Sequence, residues 1–356
     1  MRVKAALVRS GSDRFAFDTV EMEDPRPGEV LVKIHAVGMC HTDLRVKAQY
    51  AGEDPFVLGH EGAGVVEAVG ADVTSVSEGD HVVLSYPSCG VCEACTTGKP
   101  YGCDDHLKYA FGGLRPDGTS PLKLGDGDLV KGKFFGQSSF ASHSLTGERN
   151  LVKVDASLPL EALGPLGCGI QTGAGTVLNV LEPSEDQTFA VFGCGSVGLS
   201  AVMAAAVTGC RTIIGVDVHG GRLEMARKLG ATHTVNASDD DPAAAILDVT
   251  DGGADFALDT TGHTEAATAA VASLRTFGTC AVVTGTQLRT GPGKQVVGVM
   301  QGASVPQTFI PRLIGLWQEG RFPFDKLIRY YDFEDIDRAE ADSRSGETIK
   351  PVLRMG

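Results

Sequence analysis

The pattern of apolar and polar positions changes once along the chain, near residue 187. Before that point, short apolar runs are separated by turns that contain Gly and Pro, as in VKAALV, EVLVKIHAVG, GAGVVEAVG and DHVVLSY. Short runs of this kind bounded by turn residues predict strands. Their number within the first 90 residues predicts a compact, mostly β, barrel-like unit.

From residue 187 onward, predicted strands alternate with predicted helices. QTFAVFG is typical of a buried strand, GCGSVGLSAVMAAAVTG of a glycine turn followed by an Ala-rich helix, and RTIIGVD of a second strand. The alternation continues as far as GTCAVVTG, at residues 278–285. Strand–helix–strand repetition predicts a doubly wound parallel sheet. The fold class is therefore α/β with a second, β-rich unit.

Composition narrows the class of protein. The 356 residues suggest about two domains, and a net charge of −14 argues against nucleic-acid or anionic-membrane binding, which requires a basic surface. No apolar run reaches the ~18 residues of a membrane span, and no targeting segment is recognised, so we expect a cytoplasmic protein without membrane partners. In a reducing compartment, the nine cysteines indicate metal binding or catalysis before disulfides.

The first group of candidate catalytic residues is Cys40, Thr42 and Asp43, followed by His60 and Glu61. A thiolate, an imidazole and carboxylates are the ligands and supporting groups of a catalytic zinc site. The alternative is a free buried cysteine and a packed core histidine. This stretch taken alone does not decide between them.

A second group contains four cysteines within fifteen residues: Cys89, Cys92, Cys95 and Cys103. Four thiolates so close in sequence can enclose one tetrahedral zinc, and a closed site of this kind is structural because no position stays open for substrate. The alternatives are a cysteine-rich loop without metal and a nucleic-acid zinc ribbon. The acidic chain and the absence of flanking Lys and Arg clusters disfavour the ribbon.

Gly193, Gly195 and Gly198 form a G-x-G-x-x-G motif between a predicted strand and a predicted helix, the context in which this motif binds a dinucleotide. Asp217 ends the next predicted strand, nineteen residues after Gly198. A carboxylate there binds the adenosine ribose hydroxyls and repels a 2′-phosphate, so the sequence predicts NAD over NADP. Arg222 is expected to contact the same ribose.

The motif Gly59-His60-Glu61-x2-Gly64-x5-Gly70-x2-Val73 resembles the zinc signature of the medium-chain alcohol dehydrogenases. The four-cysteine loop and the later glycine motif follow in that family's order, and the resemblance covers the whole chain. FFGQSSFASHSL, GCGSVGLSAVMAA and SVPQTFIPRLI resemble the aryl (benzyl) alcohol dehydrogenase branch. The resemblance implies a GroES-like β-barrel catalytic domain at 1–169 and 303–356, and a Rossmann NAD-binding domain at 170–302.

The resemblance also implies residue roles. Cys40, His60 and Cys168 would bind the catalytic zinc, and only the resemblance selects Cys168 from the later cysteines. Glu61 would lie behind the metal, and Asp43 would hold the second ring nitrogen of His60. The implied cofactor contacts are Thr172 and Val197 on either side of the nicotinamide, and His41 and Lys350 at the pyrophosphate. Two zinc ions per subunit and NAD are the expected cofactors.

The implied reaction is hydride transfer between NAD and an alcohol whose hydroxyl pKa is lowered by zinc. Thr42 would be the first group of the proton path, because a hydroxyl both accepts and donates. Where many members of the family carry a histidine three residues later, this chain has Arg45, which stays protonated and cannot act as a base. The end of the proton path is therefore open.

Matched positions predict a substrate pocket with aromatic walls, formed by Tyr50, Ser85, Phe134, Phe135 and Thr286. Such walls favour a primary aromatic or allylic alcohol, such as benzyl alcohol, cinnamyl alcohol or geraniol. Three alternatives are a glutathione-type, thiol-dependent aldehyde dehydrogenase, a polyol or secondary-alcohol dehydrogenase, and a non-enzymatic NAD-binding zinc protein. The edge strand VVGVM resembles the dimerising strand of this family, and the resemblance implies a homotetramer, with a homodimer as the alternative.

Overall fold

The structure, a computed structural model, describes residues 1–286, 288 and 290–356, which form two compact units. Unit 1 contains Met1–Cys168, Val305–Pro311 and Leu327–Gly356, and unit 2 contains Gly169–Ser304 and Arg312–Lys326. The sequence prediction had placed all of 303–356 in the first domain. The structure instead places Arg312–Lys326 in unit 2, where the guanidinium of Arg321 donates a hydrogen bond to the carbonyl of Val207.

The secondary-structure elements are named in chain order. The strands are β1 (Arg2–Val8), β2 (Ala16–Met22), β3 (Glu29–Gly38), β4 (Phe56–Val57), β5 (Gly62–Val69), β6 (His81–Leu84), β7 (Leu122–Lys123), β8 (Leu129–Val130), β9 (His143–Gly147), β10 (Leu151–Val154), β11 (Thr188–Phe192), β12 (Thr212–Asp217), β13 (His233–Asn236), β14 (Ala254–Asp259), β15 (Leu274–Val282), β16 (Gln295–Gly298), β17 (Ile328–Asp332) and β18 (Lys350–Arg354). The α-helices are α1 (His41–Gln49), α2 (Glu93–Thr96), α3 (His106–Phe111), α4 (Leu160–Leu163), α5 (Gly169–Gly175), α6 (Ser196–Thr208), α7 (Gly220–Lys228), α8 (Pro242–Val249), α9 (Thr264–Ala272), α10 (Pro306–Gln318) and α11 (Ile336–Ser345).

Unit 1 is built from two sheets, with strand orders β4-β1-β2-β7-β8 and β10-β6-β5-β3-β18-β17, and β9 also pairs with β3. Strand β3 has neighbours along both edges, which explains why eight of its ten residues are buried despite its two exposed polar positions. Strand β18 lies near the chain's end and pairs antiparallel with β3. Both ends of the chain therefore build this unit, as the resemblance implied.

Strand register brings the predicted metal ligands of unit 1 together. In the antiparallel pair β3–β5, Val37 lies opposite Gly62, so the residues after β3 and before β5 emerge at the same edge of the sheet. Those residues include Cys40 and His60. Strand β6 ends at this edge as well, because Val83 lies opposite Ala63. Connections at such an edge are where sites are commonly built.

Unit 2 contains six parallel strands in the order β13-β12-β11-β14-β15-β16. This is the doubly wound order, and it confirms the predicted parallel sheet. The order reverses between β11 and β14, so the crevice at the carboxyl ends of these strands is the expected ligand position. Strand β11 is completely buried, and the four residues that follow Thr188 in it are apolar, as is typical of a strand covered on both faces.

None of the helices among the described residues combines the length and the apolar character that a membrane crossing requires.

Candidate active site

Four potential metal ligands from three distant parts of the chain converge in unit 1. One ligand atom from each of Cys40, His60, Glu61 and Cys168 lies within 4.8 Å of the others. Cys40 immediately precedes α1, His60 and Glu61 immediately precede β5, and Cys168 follows a short 3₁₀ turn at Gly164–Gly167. All except Cys40, which is half-buried, are buried. The three predicted zinc ligands, at residues 40, 60 and 168, thus lie in one cluster, and their binding of zinc stays a prediction.

The buried carboxylate of Asp43 connects two of these ligands. Its Oδ2 accepts a hydrogen bond from the backbone N–H of Cys40 at 2.9 Å. Its Oδ1 accepts from the backbone N–H of Gly59 at 3.0 Å and lies 2.9 Å from Nδ1 of His60. Because an ionised carboxylate only accepts, Nδ1 carries a proton, and Nε2 is the ring nitrogen of His60 that is left to bind a metal.

The donor set fits a zinc ion. Among the described residues, Nε2 of His60 is buried and has no hydrogen-bond partner, which is costly unless an ion or ligand occupies the position that it faces. Two sulfurs and one imidazole nitrogen are ligands that zinc prefers, and three protein ligands leave a coordination position open. A divalent cation would also compensate the negative charge that two thiolates bring together.

The pKa values of the two thiols in the cluster are shifted in opposite directions. Hydrogen bonding with Cys168 holds the pKa of Cys40 well below its usual range, against the effect of burial. The same hydrogen bond, together with burial, raises the pKa of Cys168 well above its usual range. Burial lowers the pKa of His60, but the neighbouring Asp43 carboxylate more than compensates, so this pKa is raised. Because a metal binds thiolate sulfur and unprotonated imidazole nitrogen, metal binding would release the protons that these raised pKa values favour on Cys168 and on His60.

Glu61 and Lys350 form a buried ion pair beside the cluster. The Nζ atom of Lys350 lies 2.9 Å from both carboxylate oxygens of Glu61 and donates to the carbonyl of Met39 at 3.1 Å. Burial raises the pKa of Glu61, and the positive charge of Lys350 opposes that shift. A Cβ at Gly38 would lie 2.1 Å from Glu61 Oε2, so a larger residue there would displace this carboxylate from its ion pair with Lys350.

The expected contact of Lys350 with the cofactor pyrophosphate stays a prediction. All three N–H donors of its ammonium group have partners within unit 1, and its side chain is buried. A phosphate contact would therefore require the ammonium group to give up one of these hydrogen bonds. The exposed His41, at the first position of α1, has no such constraint.

Thr42 and Arg45 occupy the first two turns of α1, on the same helix face because they are three residues apart. The hydroxyl oxygen of the half-buried Thr42 lies 3.8 Å from the sulfur of Cys40, which places it beside the cluster. The side chain of Arg45 is exposed, and within the described residues it forms no hydrogen bond or ion pair. A proton path that begins at Thr42 therefore does not continue through Arg45 by direct contact with another protein group.

The residues predicted to line a substrate pocket have different surroundings. Phe134 and Phe135 are buried, and the ring of Phe135 stacks on His60 with 4.4 Å between centroids and 24° between planes. Ser85 is also buried, and its hydroxyl donates to the carbonyl of Gly167 at 2.7 Å. The hydroxyl of Tyr50 donates to the carbonyl of Asp54. These groups are thus partly committed to structural contacts.

Thr286, the fifth predicted pocket residue, belongs to unit 2. Its hydroxyl lies 3.0 Å from that of Thr284, just beyond β15. The hydroxyl of Thr284 in turn donates to Asp259 at 3.3 Å, at the end of β14. Thr286 therefore lies near the carboxyl ends of the parallel strands, the edge of the sheet expected to bind ligands.

The structure shows a supporting residue that the sequence reasoning missed. Gln137 is buried, and its amide contacts the backbone on both sides of Glu61. The stretch GQSS carries no periodicity or motif that distinguishes this glutamine from one in a surface turn. Only the tertiary fold, which brings residue 137 against residues 60–62, identifies it.

The four-cysteine group of unit 1 forms the second cluster of potential metal ligands. The backbone N–H groups of Val91 and Cys92 donate to the sulfur of Cys89, and these hydrogen bonds lower the pKa of Cys89 to about 7. Burial raises the pKa of Cys103 to about 12, although its sulfur accepts from the N–H of Cys89. Four sulfurs within 4.8 Å of one another fit a closed tetrahedral zinc site.

The glycine motif of unit 2 has the geometry of a dinucleotide-binding loop. Gly193 has φ of +93°, and a Cβ at this position would lie 2.5 Å from the hydroxyl of Thr260. A Cβ at Gly198 would lie 1.8 Å from the carbonyl oxygen of Gly193, so this glycine permits close packing of α6 on β11. Gly195 precedes α6, and nothing lies within 4 Å of where its Cβ would be. The first and third glycines serve the fold, whereas the second leaves space for a ligand.

Asp217 connects this loop to the end of β12. Its carboxylate accepts hydrogen bonds from the N–H groups of Cys194 at 2.7 Å and His219 at 2.9 Å. Arg222 approaches the same carboxylate at 3.9 Å, and its Nε is buried without a hydrogen-bond partner in the described part of the chain. A carboxylate and a guanidinium with spare donors lie together where an adenosine ribose is expected.

Thr172 and Val197 are neighbours within unit 2. Helices α5 and α6 approach so closely that a Cβ at Gly173 would lie 1.9 Å from the carbonyl oxygen of Val197. Thr172 precedes that glycine, and Val197 lies in the first turn of α6, beside the glycine loop. The two residues predicted to flank the nicotinamide are thus close to each other and to the loop.

Two family models match the chain. Residues 26–156 match the alcohol dehydrogenase GroES-like domain, and residues 196–310 match the zinc-binding dehydrogenase domain. The first match covers most of unit 1, and the second begins with α6 of the glycine loop. The GroES-like barrel implied by the sequence motifs is therefore confirmed.

Curated relatives match over almost the entire chain. A geraniol dehydrogenase of Castellaniella defragrans is 42% identical over 98% of this chain and 97% of its own length. An NDMA-dependent alcohol dehydrogenase of Amycolatopsis methanolica is 36% identical over 99% of both chains. A probable S-(hydroxymethyl)glutathione dehydrogenase of Schizosaccharomyces pombe is 33% identical over 99% of this chain and 97% of its own.

Two solved structures have the same fold as this chain over its whole length. An alcohol dehydrogenase zinc-binding domain protein from Burkholderia ambifaria superposes with a TM-score of 0.96 at 46% identity, covering 100% of this chain and 99% of that one. A benzyl alcohol dehydrogenase from Acinetobacter calcoaceticus superposes with a TM-score of 0.95 at 44% identity, covering both chains completely.

The two glycines of the loop should respond differently to alanine. Gly198→Ala should lower the free energy of unfolding by several kcal/mol, because its methyl group would collide with backbone that cannot move cheaply. Gly195→Ala should fold normally, since φ is −79° and the space is open, but should weaken dinucleotide binding. Thermal melting and nucleotide titration measure the two effects. Equal dinucleotide affinity in Gly195→Ala and the wild type would contradict the assigned ligand space.

Loss of a sulfur from the four-cysteine cluster should reduce stability. Cys92→Ser should release one zinc equivalent and lower the melting temperature, because a structural metal contributes folding free energy. Cys210→Ser is the matched control, since Cys210 lies outside both clusters and a hydroxyl can keep its contacts with the carbonyls of Gln187 and Thr212. Metal analysis and calorimetry of both variants provide the measurement. A Cys92→Ser protein with unchanged metal content and melting temperature would refute the site.

Proposed function

Because the chain belongs to the zinc-dependent medium-chain alcohol dehydrogenases, we propose that it transfers hydride between NAD and a primary aromatic or allylic alcohol and its aldehyde. The family membership that the motifs indicated is thereby confirmed. The observation that carries the proposal is the convergence of Cys40, His60 and Cys168, together with a buried Nε2 of His60 that has no hydrogen-bond partner among the described residues. Such a three-ligand site with an open position suits catalysis rather than structure.

Individual side chains of unit 1 have separate roles in the proposed reaction. When bound, zinc supplies a Lewis acid that favours ionisation of the substrate hydroxyl, and NAD supplies the hydride acceptor. Asp43 holds the tautomer of His60, so that the ring offers an unprotonated nitrogen. Thr42, beside Cys40, accepts the proton of the substrate hydroxyl while it donates its own hydroxyl proton to a water molecule. Arg45 cannot serve as the next acceptor, because its guanidinium stays protonated.

Preference for NAD over NADP follows from Asp217. Its carboxylate is 7% exposed and fixed by two backbone N–H groups, so it cannot turn away from a ligand in the loop. A 2′-phosphate would meet this fixed negative charge, whereas ribose hydroxyls can donate to it. Arg222 has spare N–H donors for the same ribose, and its proximity to Asp217 reduces the positive charge that it offers to a phosphate.

Two observations support an aromatic or allylic substrate. They are the aromatic side chains beside the candidate metal ligands and the substrates for which similar proteins are named. Phe134 and Phe135 lie beside the ring of His60, with centroid distances of 5.5 Å and 4.4 Å, so aromatic surface adjoins the candidate metal ligands. Relatives at 42% and 44% identity are named for geraniol and benzyl alcohol, whereas the glutathione-type relatives reach 33%. We keep the glutathione-type and polyol activities as outcomes of the assay below.

The proposed assembly is a homotetramer built from dimers. Strand β16 is the edge of the parallel sheet and pairs only with β15 among the described strands. An exposed edge can pair with the same strand of a second copy across a two-fold axis and continue the sheet. Light scattering of the purified protein distinguishes the tetramer from a dimer.

A substrate panel tests the proposed reaction. Benzyl alcohol, cinnamyl alcohol and geraniol should reduce NAD with kcat/KM at least ten-fold above a polyol or the formaldehyde–glutathione adduct, because the pocket walls are apolar. Exchange of NAD for NADP should lower kcat/KM. NADH absorbance measures both, and Cys40→Ser should lose turnover while its NAD affinity stays near the wild-type value. Faster turnover of the glutathione adduct, or of NADP, would overturn the corresponding part of the proposal.

Substitution of Thr42 tests the proton path. Thr42→Val keeps the shape of the side chain but removes the hydroxyl, so kcat should fall by about 10²-fold or more. Thr42→Ser keeps the hydroxyl and should recover most of the activity. Steady-state kinetics with benzyl alcohol measure the change, and zinc content should be equal in all three proteins. A Thr42→Val enzyme with wild-type kcat would show that the proton leaves by another route.

A further inference from the structure

We propose that Gln137 is a positioning residue that holds the backbone segments of the metal-binding cluster together. Its Nε2 donates to the carbonyl of His60 at 3.0 Å, and its Oε1 accepts from the N–H of Gly62 at 3.2 Å. The amide therefore fixes the backbone on both sides of Glu61. This inference rests on the proposed zinc site, and it assigns a role to a residue outside the ligand set.

The second N–H of Gln137 extends the connection to the third ligand. It donates to the carbonyl of Ser85 at 3.1 Å, and the hydroxyl of Ser85 donates to the carbonyl of Gly167 at 2.7 Å. Gly167 directly precedes Cys168. A continuous path of buried hydrogen bonds thus leads from the segment of His60 to the segment of Cys168.

The orientation of the amide is determined by its partners. The two carbonyls of His60 and Ser85 require N–H donors, while the N–H of Gly62 and the hydroxyl of Ser139, at 3.0 Å, require an acceptor. A flipped amide would place oxygen against two carbonyls. All four hydrogen-bonding positions of this buried side chain are therefore satisfied, and a fully satisfied buried network is rigid.

Asp43 and Gln137 connect different pairs of ligand segments. Asp43 connects Cys40 with the ring of His60, and Gln137 connects the backbone of His60 with the segment of Cys168. Without Gln137, the hydrogen bond from Ser85 to Gly167 would remain, but it would no longer be connected through Gln137 to the backbone of His60. Backbone that is free to shift by a few tenths of an ångström costs metal affinity, because zinc requires near-tetrahedral donors.

The test compares metal release from the wild type with that from two variants of similar side-chain length. Gln137→Met removes all four hydrogen bonds. Gln137→Glu keeps the acceptor toward Gly62 and Ser139 but places carboxylate oxygen against the carbonyls of His60 and Ser85. In both variants the rate of zinc transfer from the Cys40 cluster to a colorimetric chelator should rise about 10- to 100-fold. The absorption bands of the cobalt-substituted protein should shift, since they report the geometry of the donors.

Tyr331→Phe is the matched control. The hydroxyl of Tyr331 is hydrogen-bonded to Asp342 and Thr348 within unit 1, and all three residues are outside the four-residue cluster. Its loss should lower the melting temperature without changing zinc release or the cobalt bands. Release from the four-cysteine cluster serves as an internal reference, and should be equal in all proteins.

Ser85→Ala is the milder variant in case neither Gln137 variant folds. It breaks only the contact with Gly167 and should accelerate zinc release from the Cys40 cluster to a smaller extent. The proposal is overturned if the folded Gln137 variants release zinc at the wild-type rate with unchanged cobalt bands, or, where they do not fold, if Ser85→Ala does so. A wild-type protein that binds no metal at the Cys40 cluster would instead refute the proposed function.

Discussion

The carboxylate of Asp43 is buried among the backbone of two loops and the ring of His60, and it holds these parts of the molecule in one arrangement. It accepts hydrogen bonds from the N–H groups of Cys40 and Gly59 and fixes the tautomer of His60. A buried charge without such partners would cost several kcal/mol, so the folded state strongly favours the arrangement in which all three donors are present. The hydrogen bonds that stabilise the buried carboxylate of Asp43 therefore also hold Cys40 and the ring of His60 in positions that belong to one cluster.

Charge balance around the cluster depends on a second buried pair. Glu61 and Lys350 come from opposite ends of the sequence of unit 1, and their ion pair forms only because β18 returns to pair with β3. The pair places a positive charge beside the thiols, and this charge contributes to the lowered pKa of Cys40. It also leaves Glu61 close to the other ligand atoms while its charge is compensated. The pairing of β18 with β3 therefore also determines which charges surround the cluster.

The glycine loop of unit 2 follows a comparable logic in a different fold. Gly193 and Gly198 remove side chains where backbone and backbone must meet, and Asp217 ties the loop to the next strand. Contacts within unit 2 therefore determine the shape of the loop. Gly195 differs, because its missing side chain faces open space at the beginning of α6. Backbone N–H groups at that helix terminus are available to a phosphate.

The sequence by itself determined which potential metal ligands and which cofactor motif the chain contains. It also determined where the β-rich part ends and the alternation of strands and helices begins. The spacing of Gly193 to Asp217, the four cysteines and the strand patterns depend on local order, so they could be read without the tertiary structure. The clustering of Cys168 with Cys40 and His60 could be expected only from resemblance, because 108 residues separate it from His60. The ion pair of Lys350, the stacking of Phe135 on His60 and the contacts of Gln137 were decided by the tertiary structure alone. Such contacts depend on strand register and on burial, which are properties of the packed sheets and leave no periodic or spaced pattern in the chain.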